Sequence, residues 1–377
     1  MHPEDINVLN EFLYFGWLNL VLISIFTLSP NERFMFMRKL FLLIFSIASG
    51  CLELIGQPLP VNRQQFFLDD SVIEATLTTD LRNLRSAKKV PTWQPARIKM
   101  YFSDTSFIDE EIRVQPRGIY RKTYCELASL YLNFKSSKAP LLSPLKKLKL
   151  VGSCNTGNTN EEFLLKEYLT YKIYNLLSVM SFRVRLMHIN YVDSKQKMKS
   201  YSQYAFLIED MKDMADRNNC VEMKNKIFGA EGTNRHHMTF VSIFEYMIGN
   251  TDWAVSKYHN IKLMVPKTDT LARPYAIPYD FDYAGLVDAP YAVPDENLDI
   301  KNVRERFYLG YPRSIEEIEN ILDVFREKKE TILLTISNFS PLTSNVKKEM
   351  TRYINEFYDI ISSKSSVRSA FVERALR

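Results

Sequence analysis

The order of strand-like and helix-like segments limits the fold of this chain more than any other feature. In the first half, segments that alternate apolar and polar residues with a period of two are separated by turn residues. These segments are residues 97–102, 112–115, 130–134 and 147–151. A segment with helical periodicity follows, with an N-cap near Asn160 and an end near Leu177. The pattern predicts an antiparallel sheet with one inserted helix.

The second half changes from strands to helices. The predicted strands are residues 183–192, 204–208, 261–264 and 275–277, and the predicted helices lie near residues 236–248, 314–337 and 344–362. A sheet with one inserted helix, followed by a largely helical half, predicts an α+β fold with two lobes.

Composition favours a single domain. The chain has 377 residues, of which 46% are hydrophobic, so it can bury a full core. It has only 11 glycines and lacks the flexible joints that separate independent domains. The net charge of +5 is spread along the chain without arginine-rich blocks. Nucleic acid is therefore not an expected partner.

The N-terminal region resembles an export signal. Positive residues at Arg38 and Lys39 precede a short apolar run at 40–48, and small residues follow. We expect a signal peptide over residues 37–56, with cleavage near Gln57. The alternative is a bacterial lipobox that ends at Cys51, where a lipid would be attached. Either alternative predicts an exported protein of the periplasm or cell envelope, whose membrane contact is through the signal or a lipid anchor.

Residues 1–36 come before this signal and include another apolar run. We favour an over-extended start, with Met37 as the initiator. The alternative is a first membrane anchor in a two-helix hairpin.

The cysteines do not indicate a metal–thiolate site. The chain has Cys51, Cys125, Cys154 and Cys220, with no CxxC pair or zinc-type spacing. In an oxidising compartment Cys125 and Cys154 could form a disulfide; free, half-buried thiols are the equal alternative.

The residues that indicate chemistry follow the helix predicted at 236–248. Asp252 lies in a loop, Asn260 begins the next strand, and Asp280 ends the strand after it. These residues converge if the two strands form a hairpin, and they then offer a carboxylate for a hydroxyl and oxygen ligands for magnesium. Each motif alone has a simpler interpretation, as a turn, a cap or a solvated strand end.

The segment Gly249-Asn-Thr-Asp252, the following Asn260 and the strand end at Asp280-Phe-Asp282 resemble the spore-coat kinases of CotH type and, more distantly, the HipA-type kinases. The Arg117-Gly118 pair is similar to an Arg-Gly turn of the first family. The resemblance covers about residues 112–292, and the wording of 249–253, 259–263 and 278–282 is also similar to exported proteins of Bacteroidetes type.

The resemblance implies a bilobal protein-kinase-like domain at 57–377, with an N-lobe at about 95–208 and a C-lobe at about 209–377. It implies ATP with Mg²⁺ or Mn²⁺ as cofactor and an exported acceptor. Asp252 would orient or deprotonate the acceptor, and Asn260 and Asp280 would hold the metal, with Asp282 as an auxiliary ligand.

The resemblance also indicates nucleotide-binding residues. Arg117 is one of these residues. Lys149 is chosen as the cation that binds the phosphates, and Glu167 on the next helix would be its partner. Lys135 and Lys147 are rivals, and a surface charge is the simpler role for any of them. Glu209 and the following Asp210 would form a hinge near an adenine, or else an N-cap for the next helix.

Two functions remain open from the sequence. A kinase would transfer a phosphoryl or nucleotidyl group, and it predicts that the acidic residues meet at a cleft. A catalytically silent envelope protein would bind other components, and it predicts that the same side chains are used in mutual hydrogen bonds. Trp253 and His259 replace more usual polar and basic neighbours, and ATP is scarce outside the cytoplasm; both observations weaken the kinase hypothesis without excluding it.

Overall fold

Period-two alternation in the first half of the chain produces a closed barrel. The computed structural model describes residues 63–86, 91–102, 106–118, 129–154, 158–224 and 228–376. The barrel strands are β1 (Ile73–Thr79), β2 (Gln94–Tyr101), β3 (Phe107–Pro116), β4 (Leu130–Asn133), β5 (Lys147–Gly152), β6 (Val184–Asp193) and β7 (Tyr201–Ile208). Their order around the barrel is β1-β2-β3-β4-β5-β7-β6.

The barrel closes through one parallel pair. β1 pairs with β2 in antiparallel register and with β6 in parallel register, from Ile73 opposite Met187 to Thr79 opposite Asp193. The prediction of an α+β chain is confirmed, but the prediction of a plain antiparallel sheet is wrong. The first strand, β1, was not predicted. Because it pairs with both β2 and β6, it leaves the sheet without an unpaired edge.

Helices and a small second sheet make up the rest of the described chain. The helices are α1 (Arg63–Phe66), α2 (Leu81–Ser86), α3 (Asn158–Leu177), α4 (Met211–Arg217), α5 (Arg235–Ile248), α6 (Ile315–Ser337), α7 (Ser344–Ser362) and α8 (Lys364–Val367). A π-helical turn covers Arg368–Glu373, and 3-10 turns cover Ser143–Leu145 and Ala230–Gly232. The second sheet has the order β10 (Tyr275–Pro278), β9 (Ile261–Pro266), β8 (Cys220–Met223).

The helix α5 lies at the centre of the helical half. The Asn234 side chain accepts the His237 N–H at its start, and Gly249 ends it in the left-handed conformation, with φ of 68°. Every residue from His237 to Ile248 is buried, so the helix is covered on all sides. The helices α3, α5, α6 and α7 contribute to one hydrophobic cluster, while the barrel interior forms another. The fixed end of α5 positions the loop that follows it.

Several predictions lie outside the described residues. They concern the extra N-terminal segment, the signal peptide at 37–56, and the cysteines Cys51 and Cys125. Cys154 is disulfide-bonded. Cys220 is a buried free thiol. Within the described residues, no helix combines the length and apolar character needed to cross a bilayer.

Candidate functional site

A cleft of about 510 Å³ lies where the barrel meets the loops after α5 and β10. It brings together most of the residues that the sequence indicated. Those that line it are Arg117, Lys149, Asp252, Asn260, Asp280 and Asp282.

The β9–β10 hairpin explains why the acidic residues meet. Ile261 pairs with Pro278 at the open end of the hairpin, so Asn260 and Tyr279 are neighbours just beyond it. The Tyr279 N–H donates a 3.0 Å hydrogen bond to the Asn260 carbonyl. Asp280 therefore lies on the same side of the hairpin as Asn260, as the spacing in the sequence predicted.

The Asp252 carboxylate is held by two neighbours. Its Oδ1 lies 2.6 Å from His259 Nε2, and its Oδ2 accepts a 2.9 Å hydrogen bond from Asn260 Nδ2. Asn260 Nδ2 also donates to the Asp252 carbonyl at 2.8 Å. Asp252 and His259 remain partly open to the cleft, whereas Asn260 is buried. The carboxylate is thus fixed in orientation at the wall of an open cleft.

The backbone at the metal-ligand candidates is unusual. Asn260 has φ of 50° and Asp280 has φ of 67°, in the left-handed region that side chains other than glycine adopt at a cost. The Asp280 N–H donates a 2.7 Å hydrogen bond to the hydroxyl of the buried Tyr171 on α3. Asp282 Oδ2 accepts a 3.0 Å hydrogen bond from the Tyr291 hydroxyl. These contacts hold both acidic residues at the cleft in spite of the backbone strain.

Cations line the barrel side of the cleft. Lys149 projects from β5, and Arg117 follows β3 at a turn where Gly118 has φ of 87°. The Lys149 ammonium lies 5.5 Å from the centre of the Tyr279 ring, and the Lys262 ammonium lies 5.9 Å from the same ring. Among the described residues neither Arg117 nor Lys149 forms an ion pair with an acidic side chain.

The electrostatics of Lys149 follow from this crowding. Burial lowers the pKa of Lys149 to about 8, and the positive charges of Arg117 and Lys262 add to the effect. Asp280 and Asp210 oppose it. These positive groups repel one another, and a bound anion would reduce the repulsion.

The rival lysines do not reach the cleft. Lys135 and Lys147 are exposed and do not line the cleft, although the Lys147 ammonium lies 4.8 Å from the centre of the ring of Tyr131, which does. Glu167 is buried on α3 and is not among the described residues that line the cleft.

The hinge candidates have structural roles. Both carboxylate oxygens of Glu209 lie 3.0 Å from guanidinium nitrogens of Arg217, and the Arg183 N–H also donates to Oε2. Asp210 caps α4 by accepting the Lys212 N–H. The capping alternative therefore describes Asp210, and the Glu209 side chain is occupied by an ion pair instead of facing a ligand.

Sequence reasoning missed residues that support the site. Glu245 and Asn250 are both 1% exposed and bond to each other beneath the Asp252 loop. Tyr171 and Lys262 were also missed. The polar Glu245 inside an apolar helix was a visible signal, whereas the contacts of Tyr171 and Lys262 depend on tertiary packing.

Metal binding has a partial basis in the described side chains. No cluster of three or more His, Cys, Asp or Glu residues occurs among them at metal-binding distance. Magnesium, however, also takes amide oxygens, water and substrate phosphates as ligands. Asn260 uses its Nδ2 on Asp252, and no described residue donates to its Oδ1. That oxygen and the carboxylates of Asp280 and Asp282 are chemically suited to a hard divalent cation.

Comparisons with known proteins add little to this geometry. No protein-family model matches the chain, and no curated protein matches it. Among solved structures, the chain is similar to a crystal structure of a proinflammatory kinase, CtkA, from Helicobacter pylori. The sequence identity is 10%, the match covers 72% of this chain and 90% of that chain, and the TM-score is 0.33.

Proposed function

We propose that the cleft binds ATP with Mg²⁺ or Mn²⁺ and transfers the γ-phosphoryl group to a hydroxyl acceptor. The observation that carries the proposal is that the cleft is lined both by cationic side chains and by side chains with carboxylate or amide oxygens. Arg117 and Lys149 lie on the barrel side, and Asp252, Asn260 and Asp280 lie on the loops opposite. Phosphoryl transfer requires cations at the phosphates, oxygen ligands for a metal and a carboxylate at the attacking hydroxyl.

The barrel side is suited to phosphate. Arg117 and Lys149 have no acidic ion-pair partner among the described residues, and Lys262 adds a further positive charge nearby. A triphosphate would replace repulsion between these groups with attraction. Arginine can bind phosphate oxygens with two parallel hydrogen bonds, while lysine acts as a point charge.

The opposite side is suited to a metal. Asn260 Oδ1 and the carboxylates of Asp280 and Asp282 would hold the ion, which would neutralise charge that develops on the phosphate oxygens. The hydrogen bonds from Asn260 Nδ2 to Asp252 turn the amide so that its oxygen is left for the metal. One side chain thereby links the metal candidates to the catalytic carboxylate.

Asp252 is the candidate base. Each carboxylate oxygen has two lone pairs, so Oδ1 and Oδ2 retain accepting capacity beside His259 and Asn260. The acceptor hydroxyl would donate its hydrogen bond to Asp252. As the new bond from the acceptor oxygen to the γ-phosphorus forms and the bond to the bridging oxygen of ADP breaks, the proton passes to Asp252.

Family and location belong to the same proposal. The loop at Asp252, the strand end at Asp280 and the Arg117-Gly118 turn support a diverged kinase of CotH type with the bilobal fold. The signal-like segment at 37–56 supports export, so the acceptor would be an exported protein or another envelope component.

The second candidate is a catalytically silent binding protein on the same scaffold. The observation that favours it is the Asp252 carboxylate, whose oxygens already bond to His259 and Asn260. A carboxylate satisfied in this way needs no substrate.

ATP binding and turnover, measured with Mg²⁺ or Mn²⁺, distinguish the two candidates. The kinase predicts saturable ATP binding and turnover that Asp252→Ala and Asp280→Ala abolish. The matched control is Asp323→Ala, which removes an exposed carboxylate on α6 that pairs with Arg326. Circular dichroism shows whether the protein is folded. If folded protein binds no nucleotide with Mg²⁺ or with Mn²⁺, the kinase is excluded and the binding protein remains.

A further inference from the structure

A buried carboxyl group lies beneath the proposed catalytic loop. Glu245, in the last turn of α5, is 1% exposed and forms no ion pair among the described residues. Its Oε2 accepts a 2.9 Å hydrogen bond from Asn250 Nδ2, and none of the described residues bonds to its Oε1. Burial raises the pKa of Glu245 to about 8, which favours the neutral carboxyl at pH 7. Burying a polar group costs free energy, so we expect the buried Glu245 to have a structural or functional role.

Asn250 connects this carboxyl group to the loop. Its backbone N–H donates to the Glu245 carbonyl at 2.8 Å, in addition to the side-chain hydrogen bond. Its Oδ1 accepts the backbone N–H of Asp252 at 3.0 Å. Asn250 is itself 1% exposed. A continuous hydrogen-bonded path therefore joins the core of α5 to the backbone of Asp252.

The Glu245 carboxyl and the Asp252 N–H together hold the Asn250 amide in one orientation. Rotating the amide by half a turn would place its nitrogen against the Asp252 N–H, two donors facing each other. The Asp252 N–H therefore selects the orientation of the amide, and the carbonyl oxygen of the neutral Glu245 carboxyl accepts the Nδ2 hydrogen that this orientation turns into the core. An apolar side chain at 245 would leave a buried N–H group without an acceptor, and the loop would lose its preferred position.

Backbone hydrogen bonds from a second segment also hold the end of α5. The Gly285 N–H donates to the Gly249 carbonyl at 3.0 Å, and the Leu286 N–H donates to the Ile248 carbonyl at 2.9 Å. These bonds join the segment after Asp280 to the end of α5. The end of α5 therefore contacts both the Asp252 loop and the segment that follows Asp282.

We propose that Glu245 is a positioning residue that acts through Asn250 to hold Asp252 at the cleft. The proposal rests on the proposed phosphotransferase function. Glu245 touches no substrate, and its effect is confined to the geometry of the loop. Misplacement of a catalytic group by about 1 Å can reduce a rate by about a hundredfold.

The test compares Glu245→Gln, which keeps a neutral carbonyl oxygen, with Glu245→Leu, which fills the same space without an acceptor. We expect Glu245→Leu to reduce kcat by roughly tenfold to a hundredfold, with little change in the affinity for ATP. Glu245→Gln should restore most of kcat. The control is Leu322→Ala on α6, a fully buried site outside the loop, which should lower stability without this selective loss of kcat.

A double-variant comparison isolates the path. If Glu245 acts through Asn250, then Glu245→Leu combined with Asn250→Ala should reduce kcat no further than the worse single variant. Additive losses, an unchanged kcat in Glu245→Leu, or an equal loss in Leu322→Ala would each overturn the proposal.

Hydrogen exchange at the Asp252 backbone amide tests the positioning without turnover. Exchange should accelerate in Glu245→Leu and stay slow in Glu245→Gln, relative to other amides of the same molecule. If the wild-type protein turns over no ATP, the phosphotransferase proposal fails, and this amide still decides whether Glu245 holds the loop. Unchanged exchange in Glu245→Leu overturns the positioning role.

Discussion

The backbone N–H of Asp280 donates a 2.7 Å hydrogen bond to the hydroxyl oxygen of Tyr171, a fully buried residue on α3. Asp280 has φ of 67°, and a residue other than glycine needs support to stay in this conformation. Burial raises the pKa of Tyr171 well above its usual value, so the hydroxyl stays neutral. The inserted helix thus fixes a residue at the cleft that lies far along the chain.

We expect Tyr171→Phe to weaken metal-dependent ATP binding, because the Asp280 N–H loses its acceptor while the ring contact with Phe281 at 4.7 Å is kept. The loss of one buried hydrogen bond should also lower the free energy of unfolding by about 1 kcal/mol. Calorimetric titration with and without Mg²⁺ measures the binding. Tyr191→Phe, a buried tyrosine of the barrel, is the control, and equal ATP affinities in both variants and the wild type would contradict the expectation.

Glu245 predicts a pH dependence of stability. Its pKa is raised from 4.5 to about 8 in the folded chain, first of all by burial, while the Asn250 hydrogen bond opposes the shift. Because the pKa of Glu245 is higher in the folded state, its carboxyl group loses the proton at a lower pH in the unfolded chain than in the folded chain. The stabilising contribution is therefore present below about pH 4.5 and is lost as pH rises towards 8.

Glu245→Gln should remove this dependence, since an amide does not ionise. Relative to the wild type, the variant should gain stability as pH rises from 5 to 7, by up to about 3 kcal/mol at pH 7. Urea unfolding at several pH values gives the comparison. A constant difference between the two proteins across this range would show that Glu245 does not titrate in the folded chain.

Gly249 is expected to resist substitution. Its φ of 68° suits glycine, and a Cβ atom there would lie 2.0 Å from the hydroxyl of the buried Tyr353. Gly249→Ala should therefore lower the free energy of unfolding by roughly 2 kcal/mol or more. Gly229→Ala is the control, because no atom lies within 4 Å of the added Cβ and its φ is −73°. Similar thermal unfolding of the two variants would contradict this expectation.

The individual helices and strands could be predicted because their signals are local. The sequence predicts a helix from about residue 236 to 248, and the structure has Arg235–Ile248 with Asn234 as its cap. Closure of the barrel was not predicted, although β1 alternates buried and partly exposed residues like the other strands. Its parallel partner, β6, lies far along the chain, and no local pattern reports such a pairing.

The site could be predicted to a similar extent. A hairpin places Asn260 before one strand and Asp280 after the other, so their approach follows from sequence spacing alone. The left-handed backbone of Asp280 has no signal, because it depends on the distant Tyr171 hydroxyl. Glu209 was misinterpreted for the same reason: its ion pair with Arg217 appears only once α4 packs against the strand end.

Lys149 predicts how ATP affinity depends on pH and charge. Its pKa of about 8 means that the side chain loses its charge as pH rises through this value. ATP should bind the charged form, so affinity should be greatest below pH 7 and should fall above pH 8. Lys149→Met should reduce affinity about tenfold at pH 7, the effect of one charged hydrogen bond.

Lys149→Arg should keep affinity at pH 9, because arginine stays charged there. Lys147→Met is the matched control: Lys147 lies on the same strand but is exposed and faces Tyr131. It should bind ATP like the wild type at every pH. If instead Lys147→Met and Lys149→Met weaken ATP binding equally, Lys149 is not a specific phosphate-binding residue. The effect would then come from the total positive charge of the strand.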